Sequence, residues 1–228
     1  MRGELRRARA SGLLLADGAM GTELAARGLA PPFERFNRER PESVLEIHRA
    51  YREAGARLLR TNTFLAKERD LALAGARLAR EAAGEDLWVA GAMGPGADQA
   101  EALAEGGCDL LILETFSDAD DLLAALRRAK ATGLPVVAQM AGLPDARARA
   151  EADLVGVNCL DPEETLRLLG RLDGARSAFP HGGLPGAPIP PTAFAAAGAR
   201  LAALGVRLLG GCCGTGPAHV KALAEALR

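Results

Sequence analysis

Short apolar runs alternate along the chain with longer stretches in which apolar residues recur every three or four positions. Eight of the short runs read as strands: residues 13–17 (LLLAD), 56–62 (ARLLRTN), 87–94 (LWVAGAMG), 108–115 (CDLLILET), 135–142 (PVVAQMAG), 152–159 (ADLVGVNC), 176–183 (RSAFPHGG) and 205–213 (GVRLLGGCC). The stretches between them carry helical spacing. Residues 41–55 bring Val44, Leu45, His48 and Tyr51 to one face, with Pro41 in the first turn and Gly55 past the end. Residues 118–133 open with acids and close with bases, as the helix dipole favours. In 161–174, Asp161 is placed to cap, Pro162 follows it, and Glu164 stands three residues on. Residues 66–84, 192–205 and 217–228 complete the longer helices, and two short ones are signalled near 98–106 and 145–151.

Eight such alternations predict an α/β fold, a (β/α)8 barrel of the TIM type, and 228 residues suit it. An open doubly wound sheet is the alternative, but no G-x-G-x-x-G follows the first strand, where the turn reads DGAMGTEL. No linker or shift in composition divides the chain, so residues 1–228 are expected to form a single barrel domain.

Charge and composition narrow the partners. The formal net charge is −1 and no basic stripe runs along any face, so nucleic acid is not an expected partner. The apolar runs are too short to span a membrane. The opening MRGELRRARASG is not followed by the apolar core of a signal peptide, which points to the cytoplasm. Arginine far outnumbers lysine (Lys67, Lys130 and Lys221), a bias ascribed to coding and given no functional weight.

The polar residues collect where a barrel keeps its chemistry, at the carboxyl ends of the strands. Asp17 ends the first strand, Thr61, Asn62 and Thr63 the second, Glu114 and Thr115 the fourth, Asn158 and Cys159 the sixth, and Cys212 and Cys213 the eighth. An acid closing the apolar run LLILET is costly to bury without a task, which marks Glu114. Asp17 has the same argument, weakened because it is placed to cap a turn. Neighbouring residues of a regular strand face opposite ways, so Cys212 and Cys213 can point together only where the backbone leaves strand geometry. Gly210, Gly211 and Gly214 are expected to permit that through backbone angles open to glycine. Cys159, Cys212 and Cys213 then offer three thiolates, a zinc site with one position open for substrate. Packing as small apolar residues and a redox pair are the competing readings. Cys108, at the opposite end of the barrel, reads as packing alone, and His48 reads as a packed helix residue. His219 reads as a surface or capping residue, and His181 as a loop histidine within reach of a methyl donor.

Five stretches resemble the homocysteine S-methyltransferase family: LLLADGAMGTELAARGL, PESVLEIHRAYREAGARLLRTNTF, GCDLLILETFSD, GVNC and GGCCGTGPAHVKAL. They follow one another in family order from residue 13 onward, and FPHGGLPGA is most similar to the methionine synthase branch. The resemblance implies a zinc barrel with Cys159, Cys212 and Cys213 as ligands and homocysteine as the thiol that receives a methyl group. It implies that Asp17, Gly18 and Glu114 surround the amino-acid part of homocysteine, with Asp17 and Glu114 serving catalysis. Asn158 would stand beside the metal, and Asn62 would help shape the pocket. The donor stays open between a small methyl donor, such as S-methylmethionine, betaine or S-adenosylmethionine, and a separate cobalamin- or folate-binding protein. The chain departs from the family by shortened segments between GAMGPGAD and GGCDLL and between AQMAG and GVNC, and by His181 where relatives usually have asparagine. A barrel that binds zinc and homocysteine without turnover is the second expectation. A phosphate site on the glycines near strand eight is the third, and it leaves the cysteines unexplained.

Overall fold

The computed structural model describes residues 12–228 apart from 97 and 175, so the arginine-rich stretch 1–11 lies outside the described residues. Eight parallel strands form one sheet. They are β1 (Leu14–Leu15), β2 (Leu58–Arg60), β3 (Trp88–Met93), β4 (Leu110–Phe116), β5 (Val136–Met140), β6 (Leu154–Asn158), β7 (Arg176–Phe179) and β8 (Val206–Leu209). The spatial order is β1-β8-β7-β6-β5-β4-β3-β2. A bridge between Ala16 and Leu58 brings the two ends together and closes the barrel.

The strands are apolar on both faces because both are covered. Leu58, Ala90, Ile112, Val137, Phe179 and Leu208 fill the barrel interior. Their neighbours Leu59, Val89, Leu111, Leu113, Val136 and Leu209 pack outward under the helices. This alternation fixes what lies at the mouth: Arg60 is two residues beyond Leu58, and Glu114 two beyond Ile112, so both continue the inward face.

The helices are α1 (Met20–Ala26), α2 (Phe36–Glu39), α3 (Pro41–Glu53), α4 (Arg69–Ala83), α5 (Ala100–Glu105), α6 (Ala119–Ala131), α7 (Ala146–Glu151), α8 (Pro162–Leu169), α9 (Pro191–Ala203) and α10 (Pro217–Ala226). Asp118 caps α6 by accepting from the backbone N–H groups of Asp120 and Asp121, and Asp161 caps α8 through Glu163 N–H. The second and eighth strands are shorter than their apolar runs, covering Leu58–Arg60 and Val206–Leu209, and three further details differ from the sequence pattern. Residues 18–40, which carry no clear period, hold α1, a 3₁₀ turn at Phe33–Arg35 and α2. The seventh strand stops at Phe179 because Pro180 has no N–H to donate, and a small antiparallel hairpin of Gly183–Leu184 with Ala187–Pro188 follows. Helix α8 stops at Leu169, where Gly170 breaks the apolar repeat. Among the described residues no helix is long and apolar enough to cross a membrane.

Candidate active site

The carboxyl ends of the strands open into a cavity of about 1150 Å³ whose walls include Gly18, Arg60, Glu114, Cys159, Cys212 and Cys213. The three cysteine sulfurs lie within 4.8 Å of one another, and Cys159 Sγ is 3.7 Å from Cys213 Sγ. Sulfurs bound tetrahedrally to zinc at about 2.3 Å lie about 3.8 Å apart, so the cluster fits that ion with little adjustment. Hydrogen bonds from Cys159 and Cys212 hold the Cys213 thiol well below its usual range, and hydrogen bonding to Cys159 and Cys213 pushes Cys212 up. Cys108, buried at the start of β4, is pushed up to about 12 by burial and behaves as packing.

The adjacent cysteines meet through a turn. Thr215 N–H donates to Cys212 O at 3.1 Å, and Gly214, third in this four-residue turn, has φ 78°. That is the position where a type II turn demands a positive φ. Gly210 and Gly211 serve differently from the expectation. Neither has a positive φ; a Cβ on Gly210 would come within 2.5 Å of the Phe179 ring, and one on Gly211 within 2.2 Å of Thr215 Oγ1. They are glycine because the backbone passes too close to its neighbours for a side chain. Cys159 turns off β6 with φ 57°, and Thr115 has φ 62° where the pairing of β4 with β5 shifts register between Leu113 and Phe116. Asn158 locks the pair: its Oδ1 accepts from Thr115 N–H at 3.0 Å and its Nδ2 donates to Thr115 Oγ1 at 2.8 Å.

Below the cysteines sits a charge cluster centred on Arg60, which is 7% exposed, between Asp17 at 2% and Glu114 at 6%. Arg60 Nε donates to Asp17 Oδ1 and Arg60 N–H to Asp17 Oδ2, each at 2.8 Å. Its Nη1 reaches both Glu114 oxygens at 3.2 and 3.3 Å, and its Nη2 donates to Gly18 O at 2.7 Å and Gly211 O at 2.6 Å. The guanidinium lies 4.5 Å over the Phe179 ring. Burial pushes the Asp17 carboxyl up to about 6 against the pull of Arg60. Burial opposes the charge on Arg60, but Glu114 and Asp17 outweigh it and its pKa rises. Sequence reasoning passed Arg60 over. The signal was a charged residue two places beyond Leu58 in an apolar run, facing acids on two other strands.

The remaining expected residues fall into place around this centre. Asn62 lines the cavity and donates to Phe33 O and Asn37 Oδ1, both at 2.9 Å, which ties the 33–37 segment to the mouth. Tyr51, on the apolar face of α3, donates to Thr215 O at 3.0 Å. His48 is fully buried in α3. His219 Nδ1 accepts from Gly216 N–H, so its Nε2–H donates to Ile189 O: it caps α10. His181 Nδ1 accepts from Gly183 N–H, and His181 is not among the residues lining the cavity.

The homocysteine S-methyltransferase profile matches residues 14–227. The chain belongs to the homocysteine S-methyltransferase family. Among relatives of known function, methionine synthase from Mycobacterium tuberculosis is 33% identical over 94% of this chain and 24% of its own length. Betaine–homocysteine S-methyltransferase 1 from Danio rerio is 27% identical over 99% of this chain and 76% of its own. This homocysteine S-methyltransferase family barrel thus spans about a quarter of the mycobacterial protein. Both alignments, over 294 and 305 positions, exceed the 228 residues of the chain, so these family members carry segments that it lacks. The homocysteine methyltransferase MmuM from Escherichia coli superposes with a TM-score of 0.80 in its apo form, at 27% identity over 95% of this chain and 96% of that one. Its metallated form gives 0.82 at 25% identity, over 98% of each chain.

Proposed function

We propose that this protein transfers a methyl group to the thiol of homocysteine, forming methionine, with Cys159, Cys212 and Cys213 holding a zinc ion beside the substrate sulfur. The observation that carries the reading is the cluster of three sulfurs within 4.8 Å on the wall of the cavity, in a barrel of this family. Bound zinc supplies a Lewis acid that turns a coordinated thiol into a reactive thiolate at neutral pH. The chain's own residues do the rest. Glu114 faces the cavity and offers its carboxylate to the substrate's ammonium group. Asn158, which precedes Cys159 in the chain, holds Thr115 beside Glu114 through two hydrogen bonds, and Asn62 holds the wall formed by Phe33. The substrate sulfur gains a methyl group and loses its proton as the donor's bond to that methyl breaks. A cavity of about 1150 Å³ is larger than one amino-acid thiol needs, since pockets of about 300–1,000 Å³ enclose drug-sized ligands, and it leaves room for a donor above the sulfur.

A second reading makes the barrel one part of a methionine synthase whose methyl group arrives on a separate cobalamin- or folate-binding chain. The match to a quarter of the mycobacterial enzyme supports it. Metal analysis of the purified protein tests the site: about one zinc per chain is expected, lost in Cys159→Ala. Methionine formation from homocysteine is then assayed with S-methylmethionine, betaine and methylcobalamin. Zinc in neither protein after reconstitution under reducing conditions rejects the reading. Turnover with methylcobalamin alone selects the two-chain form.

A further inference from the structure

Arg60 stands between Asp17 and the cavity. Arg60 and Glu114 line the cavity, and Asp17 is not among the lining residues. Both Asp17 oxygens are taken, one by the Arg60 guanidinium and one by its backbone N–H. A guanidinium has five N–H donors. Here Nε–H goes to Asp17, both Nη2–H groups go to Gly18 O and Gly211 O, and one Nη1–H is shared between the Glu114 oxygens, so four of the five are engaged within the protein. Glu114 is different. Among the described residues its oxygens accept only from Arg60 Nη1, and a carboxylate has room for about four hydrogen bonds. The floor of the pocket therefore presents one acid with spare capacity, already partnered by a cation.

We infer that Arg60 sets the charge selectivity of the site. The amino group of the thiol substrate is read by Glu114 alone, and Asp17 acts on the substrate only by positioning Arg60. This rests on the reading of homocysteine as substrate. Two free carboxylates would leave a buried double negative charge unless an ammonium group arrived with the thiol. With Arg60 in place, a thiol without that group leaves Glu114 still paired, so the amino group is favourable but not required. The site thus takes thiols of the same length and carboxylate whose amino group is missing.

Calorimetric titration of the zinc-loaded protein with L-homocysteine and with 4-sulfanylbutanoate, its deaminated counterpart, tests this. The two dissociation constants are expected within about tenfold, or about 1.4 kcal/mol. Glu114→Gln should weaken homocysteine to the level of 4-sulfanylbutanoate and leave the latter unchanged. Asp17→Asn should weaken both thiols by the same factor. A preference for homocysteine beyond about a hundredfold in the wild-type protein, roughly 2.8 kcal/mol, overturns the inference. So does an Asp17→Asn variant that loses affinity for homocysteine only. If Asp17→Asn does not fold, the wild-type ratio and Glu114→Gln decide. Binding of neither thiol rejects the homocysteine reading and this inference with it; binding of both across a wide gap rejects this inference alone.

Discussion

At the scale of single residues, the site is held by side chains that bond backbone. Asn158 is the clearest case. It is fully buried, and it satisfies Thr115 N–H at a residue whose φ of 62° is unusual for a β-branched side chain. Replacing it with alanine leaves that N–H without its acceptor, at a cost of about 1–3 kcal/mol. Asn158→Ala is therefore expected to lower the urea midpoint and to release zinc more readily than the wild-type protein. An unchanged midpoint together with unchanged zinc retention would show that the bond carries neither load. Arg60 works on a larger set of partners, and removing it would strand two buried acids.

Elements were legible where period and caps agreed. Asp118 precedes a stretch with a clear apolar repeat, and its side chain accepts from two N–H groups at 2.9 Å. Asp118→Ala should cost about 1 kcal/mol, the usual worth of such a cap, visible as a small drop in melting temperature with thiol binding intact. All eight strands could be placed from alternation, because a parallel sheet covered on both faces has a plain apolar signature, whereas the short helices Ala100–Glu105 and Ala146–Glu151 are only weakly signalled. Residues 18–40 could not be placed. Their helices are short and rest on Phe33, Phe36 and Leu24 packing against other elements, which no local period records. The site divided similarly. The cysteines stood out by residue type and strand end. Arg60 did not, since its meaning depends on Asp17 and Glu114, 43 and 54 residues away in sequence. An excess of arginine made one more look ordinary.

For the molecule as a whole, two buried groups set opposing responses to acid. His48 is fully buried, neither ring nitrogen has a hydrogen-bond partner among the described residues, and burial lowers its pKa from 6.5 to about 3. Below pH 6.5 the unfolded chain takes up a proton that the folded one refuses, so stability falls with acid by about 1.4 kcal/mol per pH unit. Asp17, raised from 3.8 to about 6 by burial, holds a proton in the folded state first, so its contribution grows as pH falls from about 6 to 3.8. Over that shared window the two nearly cancel. His48→Leu removes the first response and a pair of unpartnered nitrogens. It should be more stable than wild type by about 1–3 kcal/mol at pH 7, and the gap should widen by about 1.4 kcal/mol per unit toward pH 4. Urea unfolding at pH 7 and pH 5 checks this; a gap that shrinks at pH 5 would count against a neutral buried histidine.

The closure of the barrel has its own consequence. β3 and β4 pair through four residue pairs, whereas β1 meets β2 at one bridge, flanked by Asp17 N–H to Leu58 O and Arg57 N–H to Leu15 O. The next rung is supplied by a side chain, where Asp17 Oδ2 takes Arg60 N–H in place of a carbonyl. Amide hydrogens of residues 57 to 60 that face this seam should therefore exchange with solvent sooner than those between β3 and β4. The same carboxylate closes the seam and holds the arginine that tunes the pocket. A lineage drifting toward a thiol of different charge could not alter Asp17 without loosening the cylinder, so changes in its diet would have to begin at Glu114.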